Sequence, residues 1–60
     1  MFEKGDLVRH TQGSLWPQGE IRGVVIDVFG EKNNFYKVFW YTTASYQNVG
    51  EHNLRSVGGK

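Results

Sequence analysis

Glu20-Ile21-Arg22-Gly23-Val24-Val25-Ile26-Asp27-Val28-Phe29 is the most informative stretch of this 60-residue chain. Its β-branched residues and lack of i, i+3, i+4 apolar spacing make it a strand. Strict alternation would put Ile21, Gly23, Val25 and Asp27 on one face and Arg22, Val24, Ile26 and Val28 on the other. Each face would then carry one charge. A bulge at Gly23 removes the conflict: Ile21, Val24, Ile26 and Val28 turn inward, and Arg22 and Asp27 turn outward. A long strand bent at a glycine is a device by which a small sheet curls into a barrel.

Outward from that strand, Gly30-Glu31-Lys32-Asn33-Asn34 reads as a five-residue hairpin loop, since glycine and asparagine tolerate positive φ. The next strand covers Phe35–Tyr41. Its Lys37 marks the wet face, so Tyr36, Val38 and Trp40 point to the core, and Phe35, Phe39 and Tyr41 point outward with Lys37. A first strand is expected at Asp6–Thr11, a fourth at Ser45–Val49 and a fifth at Arg55–Val57, with a single helical turn across Gly50–Leu54. Eight glycines and Pro17 punctuate these runs. The expected fold class is all-β: one five-stranded SH3-like barrel over residues 1–60, with a core segment of about 4–57 and Gly58-Gly59-Lys60 as a frayed tail. Its expected core is Val8, Ile21, Val24, Ile26, Val28, Val38, Trp40, Leu54 and Val57.

Composition narrows the function classes. There is no cysteine, so disulfides and thiolate metal sites are excluded. No apolar run is long enough for a membrane span or a signal-peptide core, and the chain reads as cytoplasmic. The net charge of +1 does not by itself select a polyanionic partner. Ser14, Ser45 and Ser56 sit in no nucleophile elbow, and no glycine pattern fits a phosphate-cradling loop. His10, His52 and Glu51 make a poor metal set, so no metal is expected.

Nine of the 60 residues are aromatic, and three of those lie on the outer side of one strand. Barrel curvature and the 12–19 loop could cover them, a protein surface could bury them, or bases could stack on them. The candidate binding surface is Trp16, Phe39, Tyr41 and Tyr46. Aromatic anchors suit binding because they bury much area at low entropic cost. Lys4, Arg9, Arg22, Lys32, Lys37 and Arg55 could serve a nucleic-acid partner, although six acidic residues interleave with them. The leading expectation is a non-catalytic interaction module that needs no cofactor and binds a protein partner or a second copy of itself.

Two resemblances add to this reading. Lys4-Gly5-Asp6-Leu7-Val8-Arg9, then Gly19-Glu20-Ile21-Arg22-Gly23-Val24-Val25, Tyr36-Lys37-Val38-Phe39-Trp40 and Asn53-Leu54-Arg55-Ser56-Val57 resemble, in order, the SH3-like small β-barrels. Among these are short proteins of tailed phages, including cyanophages, which implies a phage source and a host-cell cytoplasmic setting. More distantly, Trp16 followed by Gln18-Gly19-Glu20-Ile21-Arg22-Gly23 and Tyr36-Lys37-Val38 is similar to the plasmid-encoded type II dihydrofolate reductases. That resemblance implies a homotetramer reducing dihydrofolate with NADPH in a central pore. Gln47, seven residues before Leu54, matches the pore glutamine of that family. Tyr46, Asn48 and Val49 stand where the family has Val, Ile and Tyr, and His10 stands where it has a substrate-steering lysine. The pore set under this alternative is Gln47, Tyr46, Asn48 and His10.

Overall fold

A computed structural model describes residues 1–12 and 22–57. The described residues form one five-stranded antiparallel sheet: β1 (Leu7–His10), β2 (Arg22–Phe29), β3 (Phe35–Trp40), β4 (Ser45–Gly50) and β5 (Leu54–Ser56). The strand order is β4-β3-β2-β1-β5, with a 3-10 turn at Glu51–Asn53 leading into β5. This is the all-β, SH3-like arrangement that the glycine punctuation and β-branched runs predict. Elements begin or end within a residue or two of the expected bounds. Thr11, just past β1, still donates its N–H to the Asn53 carbonyl. The hairpin loop after β2 turns on Gly30 and Asn33, at φ of 97° and 53°.

The core holds Val8, Val25, Tyr36, Val38, Trp40, Val49 and Leu54, with Phe2 and Val28 packed against it. Full burial of an apolar side chain contributes about 1.5–3 kcal/mol to folding. Tyr36 is buried and polar-tipped, and its hydroxyl accepts the Phe2 N–H at 3.1 Å. The Phe2 and Tyr36 rings meet edge to face at 5.4 Å. The amino-terminal segment is thus fastened across one end of the core.

The bulge lies elsewhere than expected. Gly23 pairs regularly, opposite Val8 on β1 and Trp40 on β3. The register shift falls between Val25 and Asp27, so Ile26 is the extra residue. Alternation restarts after it, which reverses the expected facing of half the strand. Gly23 and Val25 point inward. Val24 is half-buried on the outer face, and Ile26 is 42% exposed. Val24 and Ile26 therefore leave the expected core, and Val25 and Val49 enter it. Val28 keeps its inward position, and Val57 is half-buried. The cause is tertiary. A Cβ on Gly23 would collide with the Trp40 ring and the Phe39 carbonyl, so this glycine serves close approach and not a bend. Ile21, Trp16, the 12–19 loop beyond Gln12, and the 58–60 tail lie outside the described residues.

Candidate binding face

Alternation along β3 sends Tyr36, Val38 and Trp40 into the core and leaves Phe35, Lys37 and Phe39 outside. Phe39 is the centre of an aromatic cluster. Its ring lies 5.8 Å from Tyr41 in an edge-on contact and 5.1 Å from Tyr46 in a tilted one. Tyr46 reaches it because β4 pairs with β3 in a register that sets Tyr46 opposite Phe39. Phe39 is half-buried, whereas Tyr41 and Tyr46 are 53% and 61% exposed. The Lys37 ammonium sits 5.2 Å from the Tyr46 ring centroid, a cation–π contact worth about 0.5–1 kcal/mol at an exposed site. Three of the four residues of the expected binding surface thus form one contiguous group. Trp16 lies outside the described residues.

The register extends this group across the sheet. Phe39 stands opposite Val24, and Val24 stands opposite Leu7. The Leu7 carbonyl in turn accepts the N–H of Val57. Tyr46, Phe39, Val24 and Leu7 therefore follow one another across β4, β3, β2 and β1 on the outer face, and Val57, just past β5, continues the row. Leu7 is 49% exposed. Sequence reading misses Leu7 and Val24 in this role because only the pairing register places them beside Phe39. A polar row borders the stripe: Asn48 opposite Lys37, and Lys37 opposite Asp27, whose carboxylate is 3.8 Å from the Lys4 ammonium. Beyond that row, Phe29 and Phe35 stack at 5.9 Å by the hairpin loop.

The inner face has a different character at the Trp40 end. The Trp40 indole N–H donates to Gln47 Oε1 at 2.9 Å. The His10 ring lies 6.3 Å from the Trp40 ring, and its Nδ1 accepts the Gln12 N–H at 3.1 Å. Burial beside Trp40 pushes the His10 pKa below its ordinary value, because desolvation disfavours the imidazolium. Gln47 stands opposite Val38 and His10 opposite Leu54, so both belong to the inner side. Tyr46 and Asn48 belong to the outer side. The four residues matched to the reductase pore are thereby divided between the two faces of the sheet. Gln47 directs its carbonyl oxygen to the chain's own tryptophan.

Among the described residues, no group of three His, Asp or Glu side chains is placed to hold a metal ion, and no helix is long and apolar enough to cross a membrane. No family model, curated protein or solved structure matches the chain.

Proposed function

We propose that this protein is a non-catalytic interaction module that binds protein surfaces through the outer face of its sheet, a second copy of itself first among them. The observation that carries the reading is the Phe39–Tyr41–Tyr46 cluster and its continuation through Val24 and Leu7. An apolar stripe across four strands is more than the sheet needs for folding, because its core already lies on the other side. Rigid aromatic rings with a charged border of Lys37, Asp27 and Lys4 have the composition of a binding patch: apolar anchors within a polar rim. Under this reading no cofactor takes part. The resemblance to short tailed-phage proteins supports a phage origin and action in the host cytoplasm.

Solution mass tests the proposal. Sedimentation equilibrium of the wild-type chain is expected to give a mass rising above the 6.9 kDa of one chain as concentration increases. The exposed-face variants Phe39→Ser and Tyr46→Ser are expected to stay monomeric with an unchanged circular dichroism spectrum. A wild-type chain that remains monomeric at millimolar concentration overturns self-association. An oligomer unaffected by both substitutions overturns the assignment to this face.

A further inference from the structure

Among the described residues the sheet has two edges, β5 and β4, and they differ in how they meet solvent. β5 is three residues long and carries Arg55. Shortness and charge both keep an edge strand from pairing with another chain. β4 has neither protection. Ser45-Tyr46-Gln47-Asn48-Val49-Gly50 is six residues long, holds no charge and no proline, and pairs with β3 without a bulge.

The register shows which backbone groups this edge presents. The Glu51 N–H donates to the Asn34 carbonyl. Bonded pairs alternate along an antiparallel ladder, so Val49 and Gln47 bond to β3 as well, through Tyr36 and Val38. Tyr46 and Asn48 therefore turn their N–H and C=O groups away from β3. Gly50 turns its N–H the same way, while its carbonyl starts the 3-10 turn. Among the described residues no strand lies beyond them.

We propose that β4 of one copy pairs antiparallel with β4 of a second copy, Asn48 opposite Asn48, so that the two sheets become one. This rests on the self-association reading and gives it a geometry. A second copy suits the edge better than a flexible peptide does. Its β4 has the same unmet groups and is already extended, so little chain entropy is lost on pairing. The outer face is self-complementary in this register. The polar row Asp27, Lys37, Asn48 runs through the two-fold axis into its own copy. Tyr46 falls opposite the second copy's Gly50, which leaves room for the ring. Phe35 lies beside that glycine, 3.7 Å from where a Cβ would stand. The stacked Phe29 and Phe35 of one copy thus continue into Tyr46 and Phe39 of the other. The alternative register that sets Tyr46 opposite Asn48 breaks both rows. No like charges oppose each other across the seam, because β4 has none.

Amide hydrogen exchange of the wild-type chain, followed by NMR below and above its association midpoint, tests the pairing. The Asn48 and Gly50 amides are expected to slow by about tenfold or more on association, as bonded amides do. Gln47 and Val49, bonded within the chain, are expected to be protected in both states. Asn48→Pro removes an N–H that makes no bond inside the chain, and an edge strand accepts proline at such a position. The variant is expected to keep its circular dichroism spectrum and to sediment as a monomer. If it fails to fold, the exchange data decide alone. An associated wild type whose Asn48 and Gly50 amides exchange as in the monomer overturns edge pairing and leaves the outer-face contact standing. So does a folded Asn48→Pro variant that associates like the wild type. A wild-type chain monomeric at every concentration overturns both readings.

Discussion

A methyl group at position 23 would lie 2.5 Å from the Phe39 carbonyl oxygen, 2.7 Å from Trp40 Cε3 and 2.8 Å from Val38 Cγ1. Two of these neighbours are core side chains and one is backbone, so none can swing aside. Gly23→Ala is expected to destabilise the protein by about 1–3 kcal/mol, the usual range for overpacking a core. Urea denaturation checks it: the midpoint falls while the slope stays the same. The same residue marks where sequence reasoning loses its footing. A glycine inside a strand signals either a bulge or a close approach. The choice rests on what lies across the sheet, and Trp40 is 17 positions away in the chain. Lys37 is the opposite case, because its charge alone reveals the facing of all of β3.

At the level of the strands, existence and order are legible, while opposition is not. The runs of Val, Ile, Phe and Tyr between glycines mark all five strands, and the turn before β5 is visible as well. Which residues face one another depends on register, and register depends on the position of the bulge. Arg9, Arg22 and Arg55 consequently read as three scattered cations in the sequence and become one row in the sheet. Their opposition has an energetic signature. The single substitution Arg22→Glu replaces a like-charge cross-strand pair with an opposite-charge one, a change of about 0.2–1 kcal/mol in favour of the folded state. For a chain of this length the melting temperature is expected to rise by up to about 4–8 °C, measured by differential scanning calorimetry.

Taken whole, the molecule divides its large side chains between two sides of one sheet. Tyr36 and Trp40 are committed to the core, and Phe39, Tyr41 and Tyr46 to the outer surface. The absence of cysteine made the core's sufficiency the first question for so short a chain. Seven buried side chains, with Phe2 and Val28 against them, answer it within the described residues. The outer cluster of the candidate site was legible as well, through alternation about Lys37. Its extension to Leu7 and Val24, and the division of Gln47 from Tyr46 and Asn48, come only from pairing.

The surplus residue in β2 also bears on how the gene can vary. Losing one residue from a regular strand turns every later side chain to the wrong side, so strands rarely tolerate single-codon deletions. Here Ile26 has no partner on β3, with Val25 opposite Val38 and Asp27 opposite Lys37. Without Ile26, Val25 still points in, Asp27 out and Val28 in. Deleting Ile26 is therefore expected to leave a chain that unfolds cooperatively, with a flatter sheet. Deleting Val38, which sits in unbroken alternation, is expected to abolish folding. Thermal unfolding of the two deletion variants side by side distinguishes a removable residue from an indispensable one.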